Sequence, residues 1–141
     1  MKFFLIFSLF FNITFAYEVK DFKLKSFSRK ENTTINFKNT KKIIILNFWA
    51  TWCTSCIEEL PLLHSLQKKN KDAQFFAISA GDSKRKIKKF IKKYPFNYNI
   101  LMDKDKAYSK SIGVESLPVT IIIKGNTIVY SGHRPPKDLD F

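Results

Sequence analysis

The most informative part of the sequence is residues 47–61, Asn-Phe-Trp-Ala-Thr-Trp-Cys-Thr-Ser-Cys-Ile-Glu-Glu-Leu-Pro. Its Cys53 and Cys56 are the only two cysteines of the chain. An apolar, β-branched run at 43–49 precedes them and predicts a buried strand, and apolar residues at helical spacing follow them. Amide groups at a helix start stabilise a thiolate, which is the nucleophile in disulfide exchange. The stretch therefore predicts a redox-active pair of thiols carried from a strand into the first turn of a helix.

Length and composition place the chain among single-domain globular proteins. It has 141 residues, enough for one domain that buries roughly two thirds of its unfolded surface. Lys and Arg outnumber Asp and Glu by 25 to 12, which gives a net charge of +13. The lysines are spread along the chain without the interleaved aromatic residues of a nucleic-acid surface. This pattern favours a solvated, lysine-rich surface and no nucleic-acid partner.

The start of the chain has the features of a secretory signal peptide. A positive start at Met1-Lys2 leads into a mostly apolar run at 3–11 and then to Thr14-Phe15-Ala16, which resembles a cleavage site. The apolar run is shorter than the ~20 residues of a spanning helix, so cleavage is favoured and an uncleaved anchor is the alternative. We therefore expect a signal peptide at 1–16, a mature domain at 17–141 and an exported, periplasmic location.

An oxidising compartment allows other interpretations of Cys53 and Cys56. A structural disulfide is one, but a bridge across two residues closes a very small loop and adds little stability on the loop-entropy model. A structural zinc site is another, but such a site usually takes four ligands. Redox chemistry is the favoured interpretation.

Periodicity along the chain predicts alternating strands and helices. Pro61 lacks an N–H and should kink the helix after the cysteines, which ends near Asn70. Asp82 or Ser83 should cap a later helix with an apolar stripe, and Gly125-Asn126 should form a hairpin turn. Strands are predicted near residues 22–27, 34–37, 43–49, 73–79, 98–102, 119–124 and 127–131, with further helical turns at 105–112. This order predicts an α/β sandwich with a mixed sheet.

Three segments carry a resemblance to a known family. They are Leu-Asn-Phe-Trp-Ala-Thr-Trp-Cys-Thr-Ser-Cys at 46–56, Glu-Leu-Pro at 59–61 and Val-Glu-Ser-Leu-Pro-Val-Thr at 114–120. With them the chain strongly resembles the thioredoxin superfamily and, within it, the TlpA/ResA branch of exported thiol–disulfide oxidoreductases. The resemblance implies a thioredoxin-like sandwich, in which helices flank a mixed central sheet with an N-terminal β-hairpin extension.

The C-terminus departs from that family. Relatives commonly end in a full amphipathic helix, whereas residues 135–139 allow only one or two turns, so a shortened C-terminal helix is expected. One face of the sheet would then be thinly covered. We therefore expect weak self-association or reduced stability.

The resemblance assigns roles to individual residues. Cys53 would be the exposed nucleophile that attacks a substrate disulfide, and Cys56 would resolve the mixed disulfide. Pro118 matches the family's cis-proline beside the active disulfide, where the exposed backbone of Leu117 would pair with an extended substrate. Trp52, Leu117 and Pro118 are therefore the expected substrate-binding residues, and no cofactor or metal is expected.

Asn47 and Glu59 concern the proton that the resolving cysteine must lose. Thioredoxins often carry a buried acid at the position of Asn47, and an amide cannot accept the proton of Cys56. Glu59 lies three residues after Cys56 on the same helix face and matches a glutamate of the TlpA/ResA branch. We predict that Glu59 is the catalytic base, with a pKa raised by partial burial. Glu58, about 100° around the helix, should be solvated.

The resemblance points to a reductase of protein thiol or disulfide substrates, for example in cytochrome c maturation, supplied by a membrane-bound electron donor. Thr54-Ser55 between the cysteines differs from relatives, so the direction of electron flow stays open. Known pairs on this fold span roughly −270 to −120 mV. The basic face of the helix near residues 84–93 suits weak contact with anionic lipid, although a solvated surface is the favoured interpretation.

A copper-binding metallochaperone of thioredoxin-like fold is the alternative function. Exported copper carriers of this kind pair two cysteines with a distant histidine, and this chain has His64 and His133. The cysteines of those carriers are separated by three residues, whereas Cys53 and Cys56 are separated by two. His64 fits an exposed helix position and His133 a loop after the last strand, so the redox function is favoured.

Overall fold

A seven-stranded mixed sheet organises the computed structural model, which describes residues 18–29, 31–38, 40–95 and 97–140. The expected signal peptide at 1–16 lies outside the described residues. Strands β1 to β7 are Phe22–Ser26, Asn32–Ile35, Ile43–Trp49, Gln74–Ala80, Asn99–Asp103, Val119–Lys124 and Thr127–Gly132. Their order across the sheet is β2-β1-β5-β4-β3-β6-β7. The predicted α/β sandwich with an N-terminal hairpin is confirmed.

Strand direction brings the distant segments of the chain to one edge of the sheet. β3 runs parallel to β4, and β4 runs parallel to β5, while β6 lies antiparallel to β3. The carboxyl ends of β3 and β4 therefore lie at the same edge as the amino end of β6. The segment with Cys53 follows β3, Asp82 follows β4, and Pro118 precedes β6. This edge is where the functional side chains are expected to meet.

Four helices connect the strands in the described part of the chain: α1 Thr54–Glu58, α2 Leu60–Lys69, α3 Lys84–Lys93 and α4 Ala107–Ser111. The predicted interruption at Pro61 is confirmed, because α1 ends and α2 begins around Glu59, with the proline in the first turn of α2. Proline is tolerated there because its missing N–H would have no partner within the helix. None of the described helices is long and apolar enough to cross a bilayer.

The core lies on both faces of the sheet, as the alternating residues of β3 show. Ile44, Leu46 and Phe48 pack with residues of the N-terminal hairpin and of α4. Ile45 and Trp49 point to the other face, where they pack with side chains of α2 and α3. Burial on both faces explains why β3 is a nearly continuous apolar run rather than an alternating one.

The expected C-terminal helix is not formed. The described residues after β7 contain no helix, so the turns predicted at 135–139 are wrong. Pro135 precedes Pro136, and a residue before proline is held out of the helical region. Instead, Leu139 packs on the cluster of Ile45, Leu66, Phe75 and Ile122. The tail therefore covers this sheet face without a helix, and weak self-association stays a prediction.

Candidate active site

Cys53 and Cys56 form a disulfide at the junction of β3 and α1, with their Cα atoms 5.3 Å apart. Cys53 is the N-cap of α1, and its Sγ accepts a hydrogen bond from the backbone N–H of Cys56 at 3.2 Å. In the dithiol state the same amide would stabilise a thiolate on Cys53. Because α1 has only 5 residues, this local amide rather than the dipole of a long helix is the main stabilising group.

Both cysteines are buried in the disulfide form. Cys53 is 5% exposed and Cys56 is 3% exposed, so the prediction of an exposed Cys53 is wrong for this state. The two residues pack in one cluster with Trp49 and Phe90, and Leu117 packs against that cluster. The sequence could not show this cover, because Phe90 and Leu117 are far from the cysteines along the chain.

Trp52 lies on the surface immediately before the disulfide. Its side chain is 67% exposed, which suits its predicted role in substrate contact. The preceding Thr51 holds the loop in place: its backbone N–H and its hydroxyl donate to the two carboxylate oxygens of Asp82 at 2.7 and 2.8 Å. The position of Trp52 therefore depends on a residue of the next strand–helix junction.

Asp82 positions the loop before Cys53, a role that the sequence pattern did not indicate. Asp82 or Ser83 was expected to cap α3, and Ser83 is the cap, accepting from the N–H of Lys86. Asp82 is buried and bonds Thr51 and the Ser79 hydroxyl instead. The available signal was an acidic residue directly after a buried strand that is parallel to β3, since such strands end at the same edge.

Glu59 is buried beside the disulfide segment. Its Oε1 accepts a hydrogen bond from the Asn47 side-chain amide at 2.8 Å, and the same amide donates to the Thr120 hydroxyl at 3.3 Å. Asn47 and Thr120 are register partners on β3 and β6. Asn47 therefore does not replace the buried acid of thioredoxins but orients an acid supplied by the helix.

Burial raises the pKa of Glu59 from 4.5 to about 7, although the hydrogen bond from Asn47 and the positive charge of Arg134 act in the opposite direction. The predicted rise in pKa is confirmed, and its main cause is desolvation. At neutral pH a carboxyl group with this pKa is close to half ionised, so it can both accept and return a proton. Glu58 is exposed, as predicted.

A cleft of about 400 Å³ joins Glu59 to the proline loop. The Leu117–Pro118 peptide bond is cis, which confirms the expected cis-proline. His133 follows β7, and its Nδ1 lies 2.9 Å from the Pro118 carbonyl oxygen. Because that oxygen can only accept, Nδ1 of His133 carries the proton. The lining residues are Ser55, Glu58, Glu59, Leu117, Pro118, His133 and Arg134.

The histidines do not complete a metal site with the cysteines. No group of three or more His, Cys, Asp or Glu side chains in the described ranges is placed to hold a metal ion. His133 lies in the predicted loop, but its Nδ1 is hydrogen bonded to Pro118. His64 is half-buried and edge-on to the Tyr98 ring at 6.3 Å, so its predicted exposed position is wrong.

Comparison with known proteins places this geometry in a family. The model of the AhpC/TSA family matches residues 16–131. The chain is 32% identical over 120 residues to the thioredoxin-like protein YneN of Bacillus subtilis, covering 82% of this chain and 69% of that protein. It is 33% identical over 96 residues to the thiol-disulfide oxidoreductase ResA of Bacillus thuringiensis, covering 66% of this chain and 56% of ResA. The chain thus spans little more than half the length of ResA.

A solved structure supports the fold. The thioredoxin domain of a thiol-disulfide oxidoreductase from Bacteroides vulgatus superposes with a TM-score of 0.71 at 21% identity, covering 85% of this chain and 89% of that one. At this level of identity the likeness shows the thioredoxin-like fold alone.

Proposed function

Because the chain belongs to the AhpC/TSA family, we propose that it is an exported thiol–disulfide oxidoreductase that reduces protein disulfides. The observation that carries the proposal is the Cys53–Cys56 disulfide at the strand–helix junction, with buried Glu59 and cis-Pro118 lining one adjoining cleft. A structural disulfide needs neither a carboxyl group with a pKa near neutrality nor an open cleft beside it. Both favour thiol exchange, in which a proton acceptor assists the resolving thiol and a substrate must reach the sulfur atoms.

The proposed reaction starts from the dithiol form. The Cys53 thiolate, stabilised by the Cys56 amide, attacks one sulfur of a substrate disulfide, and the other substrate sulfur leaves as a thiolate. Glu59 accepts the proton of the Cys56 thiol, directly or through one water. The Cys56 thiolate then attacks Cys53 and releases the second substrate sulfur. The substrate gains two electrons, and its two thiolates take up one proton from Glu59 and one from solvent, which received a proton when Cys53 ionised. The enzyme is left as the Cys53–Cys56 disulfide.

Substrate contact is assigned to the surface around that disulfide. Trp52, which precedes Cys53, is exposed, and Leu117 packs against the cluster that contains both cysteines. An extended substrate strand would pair with the backbone at Leu117. His133, through its contact with the Pro118 carbonyl, is a positioning residue for this segment.

The cellular setting is also part of the proposal. The signal-like segment at 1–16 supports export to the periplasm, with an uncleaved anchor as the alternative. Each turnover leaves the disulfide form, so a donor of two electrons is required, and we propose a membrane-bound dithiol protein. Apocytochrome c before haem attachment is the proposed example of a substrate.

Trapping the mixed disulfide tests the function. Cys56→Ser removes the resolving thiol, so Cys53 should retain its substrates covalently in the exported fraction, to be released by reductant and identified by mass spectrometry. The double variant Cys53→Ser/Cys56→Ser is the matched control and should retain nothing. Equal recovery from both variants, or no recovery from either, would refute the redox function.

The role of Glu59 is tested separately. Glu59→Gln should slow reduction of a disulfide peptide by on the order of 100-fold at neutral pH and shift the titration of Cys56. Glu58→Gln, with the same change of charge on the exposed neighbour, is the control. Identical pH–rate profiles for the two variants would remove Glu59 from the reaction.

A further inference from the structure

A groove of about 490 Å³ lies between the loop before Cys53 and helix α3. Trp52 forms its outer wall, and it is the one large apolar side chain that is exposed in the described part of the chain. Phe90 and Tyr94 form an aromatic floor, with ring centroids 4.9 Å apart. The remaining lining residues are Thr51, Lys86, Lys89 and Lys93. We call this feature the α3 groove.

The two walls of the α3 groove are tied to each other. Thr51 lies in the loop that presents Trp52, and it makes two hydrogen bonds to Asp82. Asp82 is adjacent to Ser83, the N-cap of α3. The groove is therefore preformed, which lowers the entropic cost of filling it.

The rim of the α3 groove is positively charged. Helix α3 contains seven basic residues and no acidic residue. None of Lys86, Lys89 and Lys93 forms an ion pair with another described residue. Lys93 instead lies over the Tyr94 ring, with its Nζ 5.2 Å from the ring centroid. An apolar floor under a lysine rim fits an acidic segment that carries an apolar side chain.

We infer, on the basis of the proposed function, that the α3 groove docks the protein substrate and selects an acidic segment with an apolar side chain beside the reactive cysteine. The groove adjoins Cys53 through Trp52, so a segment lying in it continues directly to the sulfur under attack. Anionic lipid would satisfy the lysines as well. A bilayer pressed on this concave surface, however, would cover Trp52 and the disulfide, which must meet a protein substrate.

Two peptides and two variants test the inference. The peptides carry the same disulfide and the same neighbouring apolar residue, flanked by Asp and Glu in one and by Asn and Gln in the other. Single-turnover reduction by the dithiol protein gives a second-order rate constant for each peptide. The variants are Lys89→Glu/Lys93→Glu in the groove and Lys88→Glu/Lys92→Glu on the same two turns of α3, outside the groove lining.

The wild type should reduce the acidic peptide about tenfold faster than the neutral one at low salt, with the preference falling as salt is added. The groove variant should lose or invert this preference, and the control variant should keep most of it. Circular dichroism monitors folding, and Lys89→Gln/Lys93→Gln gives a milder change in the same direction if charge reversal unfolds α3.

The outcomes separate the inference from the proposed function. No reduction of either peptide would refute the function itself. Equal reduction of both peptides, or equal loss in the two variants, would overturn the groove while the function stands. Sedimentation with phosphatidylglycerol vesicles gives the remaining test. If only the groove variant loses vesicle binding and the peptide preference is unchanged, the groove binds a membrane surface and the inference is overturned.

Discussion

Replacing Glu59 by Gln should change how the stability of the fold depends on pH. The pKa of Glu59 is about 7 in the folded protein and 4.5 for the ordinary side chain. Between these values the folded protein keeps a proton that the unfolded chain has released. Stability from this group is therefore fully present below about pH 4.5 and is lost as the pH rises to about 7.

The size of the effect follows from the pKa difference. Each pH unit between the two values contributes about 1.4 kcal/mol, so ionisation of Glu59 destabilises the fold by about 3 kcal/mol above neutral pH. Gln cannot ionise, and its side-chain oxygen can still accept the hydrogen bond from Asn47. The free energy of unfolding of Glu59→Gln minus that of the wild type should thus be about 3 kcal/mol larger at pH 9 than at pH 4.

Urea unfolding of the disulfide form at a series of pH values from 4 to 9 measures this directly. Glu58→Gln is the matched control, because it removes the same charge from an exposed neighbour, and its stability difference should stay nearly constant. The reasoning is refuted if the difference between Glu59→Gln and the wild type is the same at all pH values. It is also refuted if the Glu58 variant shows the same change.

Two further predictions concern residues around the disulfide. Asp82→Ala removes the acceptors for Thr51 and Ser79 and leaves the Thr51 N–H without its partner. The free energy of unfolding, measured by urea titration, should therefore fall by about 2–4 kcal/mol. An unchanged unfolding midpoint would contradict this. His133→Ala removes the hydrogen bond to the Pro118 carbonyl. The half-saturating concentration of a disulfide peptide should then rise about 2- to 10-fold, while the limiting rate is retained. A fall in the limiting rate alone would exclude a positioning role for His133.

The fold was largely predictable because its signals are local. Strand β3 occupies Ile43–Trp49, the same residues as the apolar β-branched run, and the break at Glu59 follows from the missing N–H of Pro61. The thioredoxin-like family, indicated by the motif around Cys53, is confirmed by the match to the AhpC/TSA family, and ResA, to which the chain is 33% identical over 96 residues, is a thiol-disulfide oxidoreductase. Signals of this kind depend only on residues within a few positions of one another.

Three of the features that the sequence did not predict share a physical cause. Burial of Cys53, the half-buried position of His64 and the pairing of Asp82 with Thr51 all depend on which elements meet across the sheet. The periodicity of apolar residues shows which face of a helix or strand is buried, but not which other element packs against that face. The missing C-terminal helix is different, since the pair of prolines at 135–136 was a local signal against it. The predicted helix followed from the resemblance to relatives, although the two prolines of this chain disfavour a helix there.

The surroundings of Glu59 argue for a working carboxyl group rather than a structural one. Asn47, which is itself hydrogen bonded to Thr120 of the neighbouring strand, holds the Glu59 side chain. That hydrogen bond and the charge of Arg134 offset only part of the desolvation that raises the pKa of Glu59. If holding the sheet to the helix were the whole task, Gln would make the same bond without the cost of ionisation. A group that lowers stability at neutral pH and remains beside a reactive disulfide is typical of active sites. A Glu59→Gln variant that is more stable at neutral pH and reduces disulfides more slowly would show that this carboxyl group lowers stability while it supports the reaction.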